Sequence, residues 1–166
     1  IVRRLVGSEM CIRDSNDIPE VEVVAVADPD AEGLAAASKR IGTANVYVDY
    51  REMLEQEEFD LVNVCPRVVT PHAAMVIAAA EAGAKGIFCE KPLAASLSEA
   101  DAMMAACTAR NVKVVVAHRR ANPYEQYGKK LVDEGTIGQL QVLRARGKWD
   151  RRHGAEDLAV LGPHMM

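Results

Sequence analysis

Apolar positions alternate between two rhythms along the chain. Val21 to Ala27 reads VEVVAVA, a β-branched run closed by Asp28-Pro29, and the DPDAEGLAAASKRIG that follows has Ala and Leu at helical spacing with Gly42 as its stop. The pattern then repeats. NVYVD precedes a short YREMLEQ helix, FDLVNVC reads as a strand, and TPHAAMVIAAAEAG reads as a helix ended by Gly83. GIFCE is the next strand, SLSEADAMMAACTARN the next helix, and VKVVVAH the strand after it. Strands that are apolar on both faces and separated by helices predict a parallel sheet covered on both sides, a doubly wound α/β fold.

After Arg119 the pattern changes. ANPYEQYGKKLVDEGTIG predicts a helix from near Pro123 to Gly135, with Pro at its first position and Gly past its end. QLQVLRARGKWD then alternates polar and apolar residues, as expected of a long strand with one wet face. An alternating strand after a βα array marks the start of a second domain, and one helix and one strand cannot close a domain. The expectation is therefore a parent protein whose second domain is cut off at Met166.

Composition narrows the class without changing this picture. The 166 residues carry a formal net charge of −4, with 49% apolar and 27% charged residues. That is ordinary globular composition, and it argues against disorder, coiled coil and a nucleic-acid partner. No apolar run approaches the roughly 20 residues of a membrane span. The N-terminus has Arg3 and Arg4 but no apolar core with a cleavage site. Cys11, Cys65, Cys89 and Cys107 lie far apart, without metal-ligand spacing, which points to free thiols in a reducing cytoplasm and to no metal site.

Two places carry candidate chemistry. Asp28 ends the first apolar strand, where a dinucleotide fold places the acid that binds the adenosine ribose; a carboxylate there favours a free 2′-hydroxyl, because it repels a 2′-phosphate. An Asp-Pro turn is the plain alternative. The Glu90-Lys91-Pro92 triplet stands at the C-terminal end of a parallel strand, where such folds bind ligands. A Lys in that crevice can polarise an oxygen or, with a lowered pKa, move a proton. A surface ion pair between Glu90 and Lys91 is disfavoured because neighbours in a strand point to opposite faces. Pro92 fixes its φ, while the state of the preceding peptide bond stays open. His118, at a strand end, either faces the crevice or is a loop histidine. Arg151, Arg152 and His153 read as a solvated turn. Met103, Met104, Met165 and Met166 read as core or truncated helix rather than as a cofactor contact. Cys89 has no base near it in sequence, so it is not expected to be a nucleophile.

VEVVAVADPD, YREML, DLVNVCPR followed by His72, the AAEAG helix end, EKPLA, RRANP and GTIGQL occur in the order found in the Gfo/Idh/MocA oxidoreductases, and from about Asn16 to Met166 the chain resembles that family. The resemblance implies a Rossmann domain binding NAD or NADP, with Asp28 leaning to NAD, followed by an α/β domain on an open antiparallel sheet that supplies the substrate side. It implies a dehydrogenase acting on a sugar, polyol or cyclitol hydroxyl, cytoplasmic and homo-oligomeric in the full-length parent. Lys91 corresponds to the family's catalytic or substrate-positioning lysine and His164, in GPHMM, to its catalytic histidine; position 160 is Val where the family carries Asp. Asp28, Cys65, Pro66, His72, Glu90, Lys91 and Pro92 fall on the cofactor side. Arg120 and Pro123 match the RxxP that lines the crevice, and with His118 they are assigned to substrate. Other roles within the same resemblance are a non-catalytic NAD(P)-sensing regulator and an NAD-dependent glycosidase or lyase.

The family's opening is not legible. A dinucleotide fold begins strand, GxGxxG, helix, yet Gly7 is the only glycine before Gly33. LVGSEMCIRDS resembles a translated sequencing adapter. Residues 1–15 are therefore expected to be non-native, 16–120 a partial Rossmann domain, and 121–166 the start of the second domain. In strand order 3-2-1-4-5-6 the loss of the first strand would leave two neighbours with open edges, and this chain is expected to be inactive by itself.

Overall fold

The structure, a computed structural model, describes residues 2–6, 18–66, 68–117 and 123–142, the first of these as backbone. The chain divides into two compact units, Ile1–Ala117 and His118–Met166. In the first, the strands are β1 (Val2–Val6), β2 (Val21–Ala27), β3 (Val46–Tyr47), β4 (Leu61–Val64), β5 (Gly86–Cys89) and β6 (Lys113–Val116). The helices are α1 (Ala31–Ile41), α2 (Tyr50–Gln56), α3 (His72–Glu81) and α4 (Leu97–Ala109). The strands form one sheet in the order β3-β2-β1-β4-β5-β6, with every neighbouring pair parallel. This is the Rossmann-like doubly wound arrangement that the βα alternation predicted.

One expectation is overturned. Val2–Val6 fills the centre of the sheet, pairing with β2 on one side and β4 on the other, so neither neighbour has an open edge there. The physical reason is non-local. Two parallel strands flanking a gap present a row of unmet N–H and C=O groups on each side, and an extended segment that enters the gap satisfies both rows at once. The fit is irregular, with a register shift against β2 between Arg4 and Leu5.

The core forms on both faces of the sheet. Ala25 joins Val62, Val64, Ile87 and Cys89 beneath Val76, Ala79 and Ala80 of α3 and Met103 and Cys107 of α4. Val26, one residue on and therefore on the opposite face, packs with Leu34 and Ala37 of α1. Polar chemistry sets the helix ends. The Asp30 carboxylate accepts from Gly33 N at 3.1 Å to open α1, and Gly42, at φ 77°, supplies the left-handed residue that closes it. Ser96 Oγ accepts from Glu99 N at 3.2 Å to open α4, while Glu99 reaches back to Ala95 N at 2.9 Å.

In the second unit, Pro123 is the first residue of α5 (Pro123–Asp133), and Gly135 and Gly138 lie at positive φ beyond its end, as the Pro and Gly positions predicted. Gln139–Val142, expected to begin a strand, is not in a strand. A strand needs partners to accept its ladder, and alternation alone does not supply them. The rest of that expected strand lies outside the described residues.

Candidate active site

In the first unit the sequence-predicted residues gather at the C-terminal ends of the parallel strands. Asp28 follows β2, Cys65-Pro66 follows β4, and Glu90-Lys91-Pro92 follows β5. The order β3-β2-β1-β4-β5-β6 reverses direction between β1 and β4, which is where doubly wound sheets open a crevice for ligands. Pro123 belongs to the second unit, and His118, Arg120 and His164 lie outside the described residues.

Asp28 is half-buried and its carboxylate is oriented before any ligand arrives. Its N–H donates to Tyr47 O at 3.1 Å, carrying the β2–β3 ladder one residue further, and its Oδ1 accepts from Asp30 N at 2.9 Å. A carboxylate has about four acceptor positions, so this local turn leaves capacity for a pair of hydroxyls. The plain Asp-Pro turn and the ribose-binding acid are therefore compatible in one residue.

The β5 loop is held from several sides. Glu90 N donates to Val64 O at 2.8 Å, and Glu90 Oε2 accepts from Lys91 N at 3.0 Å, so the glutamate folds back over the loop's own backbone. The Lys91–Pro92 peptide bond is cis. Pro92 O then faces His72 Nδ1 at 2.9 Å, and His72 Nε2 faces Pro66 O at 3.2 Å. His72, assigned by resemblance to the cofactor side, is 1% exposed, and both of its ring nitrogens are directed at backbone carbonyls. It lies against the backbone of both loops. Cys65 is likewise buried.

Sequence spacing missed two features here. Cys89, 0% exposed, lies with Sγ 3.7 Å from His72 Nδ1, an adjacency between residues far apart in the chain. It is not an activated thiol. Burial, and secondarily the Glu90 carboxylate, push the Cys89 pKa up to about 12, and the thiol donates to Glu90 O at 3.5 Å. Two outcomes follow. Iodoacetamide at mildly alkaline pH should label Cys89 only as the chain unfolds, as peptide mapping would show; rapid labelling of the folded chain would contradict the assignment. Because the folded thiol holds its proton more tightly than the ordinary 9.0, its contribution to stability is complete below that value and is lost as pH rises toward about 12. Denaturant midpoints followed across that window measure the loss.

Asn63 is the second feature. It is 5% exposed in β4 and in register with Val6, the last residue of β1, so it lies beside the reversal of strand order. Its Oδ1 has no hydrogen-bond partner among the described residues. A buried acceptor left unpaired costs about 1–3 kcal/mol.

These residues fit a dinucleotide at both of its ends. Asp28 offers an oriented carboxylate for a ribose, and Lys91 stands at the end of β5. The pyrophosphate part differs, since no GxGxxG follows β1 in the sequence. Among the described residues no group of three His, Cys, Asp or Glu side chains converges as a metal set, and no helix is long and apolar enough to cross a membrane.

Comparison with known proteins agrees with this architecture. The chain is 37% identical over 123 residues to D-apiose dehydrogenase of Paraburkholderia graminis, covering 74% of this chain and 32% of that protein. It is 33% identical over 130 residues to myo-inositol 2-dehydrogenase of Thermotoga maritima, covering 76% and 38%. The chain thus spans about a third of the length of the curated relatives it matches. The crystal structure of myo-inositol 2-dehydrogenase from Lactobacillus plantarum superposes with a TM-score of 0.71 at 28% identity, over 83% of this chain and 42% of that one. An oxidoreductase from Agrobacterium radiobacter, in complex with NAD+, L-tartaric acid and magnesium, gives 0.72 at 26% identity over the same shares. The model of the Gfo/Idh/MocA family, described as an oxidoreductase family with an NAD-binding Rossmann fold, matches residues 6–118, well over half of the sequence. The chain belongs to the Gfo/Idh/MocA oxidoreductase family.

Proposed function

We infer that this chain is the cofactor-binding and lysine-bearing part of an NAD(P)-dependent dehydrogenase that oxidises a hydroxyl of a sugar, polyol or cyclitol. The observation that carries this is Lys91, set at the end of β5 on a loop fixed by the Glu90 carboxylate and by the contact of Pro92 O with His72. The relatives D-apiose dehydrogenase and myo-inositol 2-dehydrogenase supply the substrate class.

Oxidation of a carbinol removes a hydride from carbon and a proton from oxygen. The dinucleotide, when bound, accepts the hydride. The chain's own residues manage binding and the proton. Asp28 holds the ribose hydroxyls and disfavours a 2′-phosphate, so NAD is the preferred cofactor. The Lys91 side chain meets the reacting oxygen and stabilises negative charge on it as its proton leaves. His164 is the partner that takes that proton.

Val160, standing four residues before His164 where the family carries Asp, favours a second role as a cofactor-sensing protein without turnover. Assaying the parent protein against a panel of sugars, cyclitols and glycosides separates the two. Net NADH accumulation supports the dehydrogenase, turnover without NADH indicates transient cofactor use for elimination or glycoside cleavage, and cofactor binding with neither indicates a sensor. We further propose that the parent is a cytoplasmic homo-oligomer and that the 166-residue chain, without GxGxxG, binds NADH weakly. Micromolar binding of NADH to this chain in isothermal titration would overturn that last point.

A further inference from the structure

The loops after β4 and β5 leave neighbouring strands of the first unit, and each carries a proline whose carbonyl faces the same buried ring. Pro66 and Pro92 have acceptors but no N–H, so neither backbone can donate to the other. A donor to either carbonyl must come from another element. His72, the first residue of α3, provides it. Its backbone N–H donates to Val69 O at 3.0 Å, fixing the start of the helix, while its ring lies between Pro92 O at 2.9 Å and Pro66 O at 3.2 Å. At 1% exposure the ring is out of reach of substrate.

The geometry points to His72 as a positioning residue that sets Lys91, by donating from Nδ1 to Pro92 O and so holding the loop on which the lysine stands. This rests on the assignment of Lys91 to the reacting oxygen. A neutral imidazole donates from one nitrogen only, and the shorter contact is the one at Nδ1. The nearby thiol competes poorly for that proton, because Cys89 Sγ is a weak acceptor 3.7 Å away while Pro92 O lies at 2.9 Å. The Pro66 contact is secondary. Loss of the Nδ1 bond frees the residue next to Lys91, and displacement of a reacting group by even an ångström is costly in turnover while leaving ground-state binding of the cofactor largely intact.

Two near-isosteric variants divide the two contacts. An Asn amide nitrogen occupies the place of a histidine Nδ1, and a Gln amide nitrogen that of Nε2. His72→Asn therefore keeps the grip on Pro92, and His72→Gln keeps only that on Pro66. In the parent enzyme, H72Q should lower kcat about 10-fold with the KM for cofactor changed by less than about 3-fold, while H72N should stay within about 3-fold of wild type in both. Equal kcat losses in the two variants, or none in either, would overturn the assignment. A measurement independent of activity accompanies this. In the 166-residue chain labelled with 15N-histidine, ring proton–nitrogen correlations should show the His72 proton on Nδ1 and slow to exchange. A proton on Nε2 alone would overturn the proposal even if a variant failed to fold. If the parent transfers no hydride to any substrate while the Nδ1 proton is found as expected, the dehydrogenase assignment fails and the brace stands.

Discussion

Replacing Lys91 by Ala in the parent enzyme should lower kcat by about 10²–10⁴, the range typical of a lost acid or base. The expectation follows from where the chain puts the residue. A lysine at the end of β5 lies beside the crevice of a doubly wound sheet, and its loop is fixed by Glu90 Oε2 on Lys91 N and by His72 on Pro92 O. Such fixing is what lets a side chain act on a transition state, because the order of the loop is established before substrate arrives. Lys91→Arg refines the test. Arginine keeps the charge but does not give up its proton at ordinary pH and carries a planar head, so it restores part of the loss if Lys91 stabilises charge and almost none if it moves a proton. Steady-state kinetics on both variants decide the matter, and unchanged turnover in Lys91→Ala would remove the residue from the mechanism.

The second large effect concerns the cofactor. Asp28→Ala should weaken NAD binding by about 10- to 100-fold, corresponding to one charge-assisted hydrogen-bonding group at about 1.5–3 kcal/mol. Binding of NADP should weaken far less, or improve, because the same carboxylate repels a 2′-phosphate dianion. The asymmetry is the informative part. The Asp28 carboxylate also closes a local turn through Asp30 N at 2.9 Å, and a purely structural Asp28 would disturb both cofactors alike. Titrations of the parent enzyme and its Asp28→Ala variant with each cofactor would show which holds, and equal losses would assign Asp28 to the turn alone.

Much of this architecture can be read from local sequence because its signals are local. VEVVAVA, LVNV and GIFC are apolar enough to be buried on both faces, and Asp30, Gly42, Ser96 and Gly135 mark helix ends through their own side chains or their freedom at positive φ. The central strand is different. VRRLV carries two arginines in five residues and no flanking glycine motif, and its conformation is set by the slot between β2 and β4, which exists only once those strands are placed. The same holds for Gln139–Val142, where alternation suggested a strand that the described backbone does not form.

The site divides in the same way. Asp28 and the Glu90-Lys91-Pro92 triplet are legible because each stands at the end of a strand that is itself legible. The placement of His72 behind two proline carbonyls, its proximity to Cys89, the unpartnered Oδ1 of Asn63 and the cis Lys91–Pro92 bond depend on contacts between α3, β4 and the β5 loop. No spacing rule contains them. A histidine in HAAMVIAAAE reads from sequence as one more helical position, and only the packing of α3 against the sheet shows it bridging two loops.

The most direct test of the central claim follows a labelled hydrogen. The parent enzyme would be incubated with NAD and, in turn, with myo-inositol, D-apiose, D-xylose and levoglucosan deuterated at their carbinol carbons, and the nicotinamide product examined by NMR. Hydride transfer at the Lys91 crevice predicts deuterium on the reduced nicotinamide ring with at least one of these substrates, and its near loss in Lys91→Ala. Turnover that leaves the deuterium on the sugar or releases it to solvent, or transfer undiminished in the variant, would contradict the account.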